Sequence, residues 1–540
     1  MRAAGERDDT GSVMRDQSSA MASRSSGVRL SELMAVLSFS SDLGLGQPME
    51  HVLRSCLIAL RLADHVALDE AERSETYWVT LLATVCTGQS FELAQMFGND
   101  IAFRSGMYHV GPSQLAQMLY VLGRAGSGRS VASRVRAATE ITLSGGKTVE
   151  SVFLAHGAVT REVSLRIGLD PGVGEALSHT FARWDGKGVP RGIASEEVPM
   201  SVRLMQLAEG AEVHHRLHGV EGATEMARLR AGKLFSPELV QVFCEGAPEI
   251  LGDQDETTWD RVIDAEPLPR PPLTEEGFDS ALEVLADIAD LKSPWFSGHS
   301  RGVADLAAHA VRAAGMPERD VVTVRRAGLL HDIGRTAIAN SIWDKKEPLT
   351  EGERERVRLH AYYTERMLRR PVALAGLAAI ASSDHERLDG SGYHRGARGL
   401  DIPLLGRYLA AAVVYHALLE DRPYRPALET TEAAAHLRAE ARGGKLDGAA
   451  VDVVLGVSGH KRSGAPASTA GLTPREVEVL VLVARGASTR HVARALNITP
   501  KTAGNHIERI YTKIGASSRS TATLFAMQRG MLASLEPLEP

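Results

Sequence analysis

The chain has 540 residues and a net charge of −6, with 44% hydrophobic and 24% charged residues. That size predicts three or four domains with ample core. No apolar run approaches the ~18 residues of a membrane span, and residues 1–28, which carry Glu6, Asp8 and Asp9, lack the apolar stretch of a signal peptide, so a cytoplasmic protein with no membrane partner is expected.

Residues 1–28 are polar and read as disordered. Helical patterning begins near Ser31, and abundant alanine with few aromatics favours helix. Alternating strand patterns are not evident, so the expected fold class is all-α. A first helical domain is expected over 29–251. A breaker-rich, acidic linker follows over 252–275 and contains Pro267-Leu-Pro-Arg-Pro-Pro272. A second helical domain is expected over 276–459, a linker over 460–470, and a C-terminal unit over 471–535. Cys56, Cys86 and Cys244 are scattered, with no CxxC pair, and read as buried thiols in a reducing compartment. Residues 471–540 hold nine Arg/Lys and five Glu, a balance of +4 that leaves −10 for the remainder. A basic end on an acidic body points to a polyanion partner for that end.

The two long segments are copies of one another. Arg183-Trp-Asp-Gly-Lys-Gly-Val-Pro-Arg-Gly192 aligns without a gap on Arg387-Leu-Asp-Gly-Ser-Gly-Tyr-His-Arg-Gly396, an offset of 204 that also relates His156 to His360. Upstream the offset is 248, as in His51 to His299 and Leu82 to Leu330. The change implies an insertion of 44 residues in the first copy, between about 85 and 155. Register held through Asp-Gly-x-Gly and several histidine or leucine landmarks points to duplication.

In the second copy an apolar helical run (Val321, Val324, Ala327, Leu329, Leu330) leads to adjacent His331 and Asp332, with Gly334 expected to stop the helix. Histidine is a borderline-soft nitrogen ligand and aspartate a hard one able to bridge two ions. His299 opens the preceding helix. His360 lies on the inward face of a helix over 351–368 that a Thr350/Glu353 capping box starts. Alone, His299 or His360 reads as a core histidine. Together with His331, Asp332, Asp384 and His385, a shared metal site becomes the stronger reading.

HDIGR, LTEGERERVRLH, DHERLDGSGY, IPLLGR and DRPYRP, in that order over roughly 278–430, resemble the HD-GYP branch of the HD phosphohydrolases. The resemblance implies an all-helical domain that holds a small cluster of divalent ions (Fe, Mn or similar) and hydrolyses a cyclic dinucleotide, typically cyclic di-GMP. It implies His299, His331, Asp332, His360, Asp384 and His385 as metal ligands, with Asp332 and Arg335 in catalytic roles. Several positions depart from the pattern. Asp384 stands where the family has a histidine. Val413 stands where its last aspartate ligand would be, with His416 one turn on as a candidate substitute. Arg335 replaces a lysine, keeping the charge but not its point geometry. His394 alters the glycine-tyrosine-proline motif. These departures predict weak or lost hydrolysis with ligand binding retained, and metal occupancy that is partial or nil. In the loop, Arg387, Gly390, Gly392, Tyr393 and Arg395 could hold a phosphate-bearing ligand, or form a solvated turn whose glycines supply only backbone freedom. The first copy has Ala83-Thr84 and Thr180-Phe181 at the metal-ligating positions and is expected to be metal-free.

In the C-terminal unit, Thr473, Pro474 and Glu476 cap a first helix, a short second helix ends at Asn497, and Thr499-Pro500 opens a third. That is a helix-turn-helix pattern. LTPRE, ARGAS, VARALNITPKTAGNHI and YTKIGASSR resemble the LuxR-type DNA-binding domain, a four-helix unit. The resemblance places the third helix in the major groove of duplex DNA, with Asn505 and Glu508 as base readers. Thr499, Lys501, Thr502, His506, Arg509 and Lys513 are its expected phosphate-side contacts. The reading is a homodimeric transcriptional regulator whose HD tandem senses a ligand. A working cyclic di-GMP phosphodiesterase that also binds DNA, and a purely structural tandem that only dimerises, are the alternatives.

Overall fold

The computed structural model describes residues 27–85, 90–144, 146–252, 257–459, 472–528 and 531–533. All but the last two residues of the expected lead-in at 1–28, the expected linker at 460–470 and Cys86 lie outside these residues. The fold is all-α, and the described residues contain only isolated β-bridges.

The first copy comprises α1 (Leu30–Gly44), α2 (His51–His65), α3 (Glu70–Leu82), the inserted α4 (Ser90–Phe97), α5 (Asp100–Met107), α6 (Gln114–Arg124) and α7 (Val131–Leu143), then α8 (Lys147–Arg166), α9 (Pro171–Leu177), α10 (Met200–Arg230, kinked at Gly219), α11 (Pro237–Glu245), α12 (Ala247–Leu251) and α13 (Thr258–Asp264). The second comprises α14 (Glu275–Asp290), α15 (His299–Ala313), α16 (Glu318–Leu330), α17 (Asn340–Trp343), α18 (Glu351–Leu368), α19 (Val372–Ala381), α20 (Leu404–Leu418), α21 (Thr430–Arg442) and α22 (Gly448–Ser458). Four helices follow: α23 (Pro474–Ala484), α24 (Thr489–Ala495), α25 (Pro500–Ile514) and α26 (Arg519–Gln528). The repeat register carries into the backbone: α2 and α15 begin at His51 and His299, and α10 and α20 at Met200 and Leu404.

Local signals fix many of these boundaries. Capping boxes at Asp69/Glu72, Thr350/Glu353 and Thr473/Glu476 satisfy N–H groups that the first helical turn leaves without partners. Pro474 and Pro500 sit in the first turn, where a missing N–H costs nothing.

The two copies share one large apolar core, and the first copy adds a separate cluster of its own around Ile58, Leu207 and Phe243. Leu33, Met34 and Leu37 of α1 belong to the same cluster as Leu282 and Leu285 of α14 and Leu329 and Leu330 of α16. Ser40 of α1 meets Thr336 of the second copy, Oγ to Oγ1, at 2.8 Å. The expected linker is partly core: α13 buries Trp259, Val262 and Ile263, and Tyr77 donates to the Val262 carbonyl at 3.2 Å. Its prolines are confined to the following stretch, and the apolar residues before them found a partner surface that breaker counting does not register. The insertion has its own small core of Leu93, Phe97, Phe103 and Ile141. It also reaches into the second copy. Asp100 accepts from Lys292 Nζ at 2.9 Å and from the Asn340 backbone N–H at 2.9 Å, with Asp100 and Lys292 fully buried. Cys56 is buried as expected, whereas Cys244 is only half-buried. No helix among the described residues is long and apolar enough to cross a membrane.

Candidate metal centre and DNA-facing helix

The apolar face of α16 drives Leu329 and Leu330 into the core, and the helix ends there with His331 as its C-cap. The stop therefore comes before Gly334, which lies inside a 3-10 turn over Ile333–Ala337. Gly334 serves close approach instead: a Cβ there would lie 2.1 Å from the His360 carbonyl oxygen and 2.6 Å from Thr364 N. Gly334 N donates to Thr364 Oγ1 at 3.1 Å, and Thr364 Oγ1 donates to the His331 carbonyl at 2.9 Å. These bonds fasten α18 to the turn and bring His360 Nε2 to 3.5 Å from Asp332 Oδ1.

The other side chains converge on the same carboxylate. His299 Nε2 lies 3.5 Å and His331 Nε2 2.9 Å from Asp332 Oδ2. Across the site, Asp384 Oδ2 lies 3.2 Å from His385 Nε2 and 4.0 Å from His360 Nε2. Among the described residues three groups have ligand atoms close enough to share an ion, and two of them are built from these side chains: His299, His331 and Asp332, and His360, Asp384 and His385. All six sequence-predicted ligands are thus brought together, five of them buried and His385 half-buried.

The donor chemistry fits a divalent cation. His331 Nε2, Asp332 Oδ1, His360 Nε2 and both Asp384 oxygens are buried without hydrogen-bond partners, an expensive arrangement unless a cation compensates it. Burial holds His299 down to about 4 and His385 to about 3, against the pull of Glu420 and Asp384, so both imidazoles offer lone pairs. Burial also opposes the charges of Asp332 and Asp384. It is outweighed by Arg335 and His331 for the first and by His385 and its histidine neighbours for the second, so both carboxyls stay ionised. Burial likewise opposes charge on His331, but Asp332 prevails and raises it to about 9, so an ion bound there would displace its proton. Arg335 pairs with Asp332 Oδ2 and stacks on Phe296 with its guanidinium carbon 3.7 Å from the ring centroid, which places a fixed cation beside the ligand carboxylate.

The loop expected to hold phosphate is largely engaged in its own packing. Arg395 forms a two-pronged pair with Glu365, so its guanidinium is already neutralised. Arg387 donates to the carbonyls of Asp384 and Glu386. Gly390 has φ +79°, and a Cβ on Gly392 would lie 2.6 Å from the Glu386 Cα. The glycines therefore give both backbone freedom and close packing. Tyr393 stacks on His385 at 4.3 Å and stands edge-on to His360 at 5.8 Å between ring centroids.

In the C-terminal unit, α25 turns Ala503 and Ile510 inward and leaves Thr499, Lys501, Thr502, Asn505, Glu508 and Arg509 exposed, with His506 half-buried. Lys513 differs from expectation: its ammonium pairs with Glu476 Oε2 at 2.7 Å, a local partner that competes with phosphate. The unit is docked through its last helix, where Leu524 and Met527 of α26 join the main core and α26 lies on α8. Ser297 Oγ donates to the Ala484 carbonyl at 3.2 Å.

Residues 283–450 match the HD domain family, and residues 470–526 match the luxR family of bacterial regulatory proteins. The chain is 30% identical over 412 residues to the 3'3'-cGAMP-specific phosphodiesterase 3 of Vibrio cholerae, an alignment covering 75% of this chain and 90% of that one. It is 34% identical over 185 residues to the cyclic di-GMP phosphodiesterase response regulator RpfG of Xanthomonas campestris, covering 34% and 48% of the two chains. The crystal structure of the V. cholerae cyclic GMP-AMP specific phosphodiesterase V-cGAP3 superposes with a TM-score of 0.56 at 26% identity, over 80% of this chain and 98% of that one. The chain belongs to the HD-GYP family.

This HD-GYP chain carries a luxR-family DNA-binding domain behind its second HD copy. Val413 is buried in the main core, so its position offers no ligand atom. A carboxylate that the motif comparison did not single out stands close by: Glu420 Oε2 accepts from His299 Nδ1 at 2.8 Å. Its sequence signal was an acidic residue directly before the DRPYRP motif, readable only once α20 had been placed against α15. The counterpart residues of the first copy make other contacts. His156 Nε2 bonds the carbonyl of Ala83, which holds the place of His331. The Phe181 ring, in the place of His385, packs on His156 at 4.9 Å. The inserted Tyr108 puts its hydroxyl 3.3 Å from His51 Nε2, the nitrogen whose counterpart in His299 faces Asp332.

Proposed function

We propose that the chain is a DNA-binding transcriptional regulator whose second HD copy, 276–459, holds divalent ions and takes a cyclic dinucleotide, with hydrolysis slow relative to binding. The convergence of His299, His331, Asp332, His360, Asp384 and His385, with five buried ligand atoms lacking hydrogen-bond partners, carries this reading. The relatives supply the ligand class, being named for 3'3'-cGAMP and cyclic di-GMP. Bound ions would supply Lewis acidity at a phosphodiester. Asp332 and Asp384 provide the hard donors, Arg335 holds Asp332 in place, and Tyr393 shields His385 from water. Slow turnover is supported by Val413 and by the extra negative charge of Asp384. The first copy, 29–251, serves as a metal-free packing partner, and the unit at 471–535 binds duplex DNA as a dimer through Thr499, Lys501, Thr502, Asn505, His506, Glu508 and Arg509.

A fully active phosphodiesterase is the second reading, and Glu420 favours it by restoring a carboxylate beside the ligand set. Metal analysis with binding calorimetry and a hydrolysis assay on both dinucleotides tests the two. The expected result is stoichiometric metal that Asp332→Ala removes, measurable binding, and turnover below the ~1–10³ s⁻¹ common to enzymes. Turnover within that range establishes the second reading. Metal that survives Asp332→Ala removes the basis of both.

A further inference from the structure

We infer that Glu420 is a positioning residue for the metal centre, standing in for the carboxylate that Val413 lacks by holding His299 rather than by binding an ion. The inference rests on the reading of the second copy as a metal site. His299 has one nitrogen on each side of the question: Nε2 faces Asp332 Oδ2 at 3.5 Å, and Nδ1 faces Glu420 Oε2 at 2.8 Å. A carboxylate on Nδ1–H fixes the tautomer and the ring plane, and it makes Nε2 a stronger donor.

Glu420, His299 and His416 also lie close enough to hold an ion of their own, and the surroundings argue against it. Glu420 Oε2 already meets Arg422 Nη2 at 2.7 Å, so a cation there would sit against a guanidinium. Arg422 is in turn fixed by the Trp295 carbonyl and by stacking over Phe296 at 5.2 Å. His416 is wedged. A Cβ on Gly302 would lie 2.0 Å from His416 Nε2, which leaves Nδ1, 3.2 Å from Glu420 Oε1, as its only nitrogen facing the group. His416 Nδ1 thus lies beside the second carboxylate oxygen without hydrogen bonding it.

The first copy repeats the device from a different position. His51 Nδ1 meets Glu212 Oε2 at 2.5 Å, and Glu212 is held by Arg54 at 2.7 Å and Arg216 at 3.2 Å. By the 204-residue offset Glu212 aligns with His416, and Arg216 with Glu420. The carboxylate therefore stands four positions later in the second copy, past the end of α20, while its contact with the histidine is kept.

The test is a cobalt(II) titration of the full chain and its Glu420→Ala and Glu420→Gln variants, read as affinity, ions per chain and ligand-field spectrum. The metal-free melting temperature is followed alongside. The expected result is a 10- to 100-fold loss of affinity in Glu420→Ala and a smaller one in Glu420→Gln, whose amide oxygen still accepts from Nδ1–H, with ion count and spectrum unchanged. Loss of one whole ion would make Glu420 a ligand and overturn the inference. So would unchanged affinity, including the case where only the melting temperature falls. A wild-type chain that takes up no cobalt overturns the metal-site reading itself and the inference with it.

Discussion

Glu209 is a buried carboxyl of the first copy. It is the first-copy counterpart of Val413, and burial, reinforced by Glu212, raises its carboxyl to about 8. The folded chain therefore keeps a proton that the unfolded chain releases near the ordinary glutamate value of about 4.3. Between those two values the native state binds more protons, so stability falls as pH rises from about 5 to about 8. Glu209→Gln should flatten that slope and leave the chain more stable than wild type at pH 8, as urea denaturation at several pH values will show. Motif comparison singled out the six residues that converge in the second copy, because histidines and carboxylates at fixed motif positions have few other reasons to coincide. It could not separate ligand from core histidine at His299 or His360 individually, since that depends on what Asp332 faces after folding. Glu420 lay beyond it for the same reason, its partner being 121 residues away.

The insertion binds the copies together through α5. Asp100 receives Lys292 and the first N–H of α17, the short helix whose Trp343 stands edge-on to His360 at 5.8 Å between centroids. Asp100→Ala leaves a buried ammonium without its carboxylate and should cost ~3–5 kcal/mol, measured as a shift in the denaturation midpoint of the full chain. Helices with caps or strict periodicity were readable in the sequence, α18 and α23 among them. The buried α13 was not, because seven residues between breakers carry too short a period to distinguish from a linker. Exposed residues on α25 make two separable predictions. Lys501→Ala removes a phosphate contact, so it should weaken binding to all duplexes alike and reduce the salt slope by about one unit. Asn505→Ala removes the proposed base contact, so it should cost about 1–3 kcal/mol on the preferred site and little on random DNA. Titrations at two salt concentrations on both duplexes read the difference, and equal weakening by Asn505→Ala would remove it from the readers.

Across the whole molecule, the candidate metal centre and the DNA-binding unit are joined by packed structure. Phe296 stacks on Arg335, the partner of Asp332, while Ser297, the next residue, bonds the end of α23. Leu524 and Met527 seat α26 in the core that both HD copies share. A ligand that reorders the Asp332 side of the site therefore acts on an element that touches the DNA-binding unit, and its effect is limited to its differential affinity for the two arrangements. The decisive measurement is the DNA affinity of the metal-loaded full chain by fluorescence anisotropy, with and without 3'3'-cGAMP or cyclic di-GMP, beside the Asp332→Ala variant. The account predicts that one of the dinucleotides shifts the dissociation constant of the wild type about fivefold or more, the range of ordinary allosteric coupling, and leaves Asp332→Ala unmoved. Superimposable wild-type curves with and without both dinucleotides would contradict it.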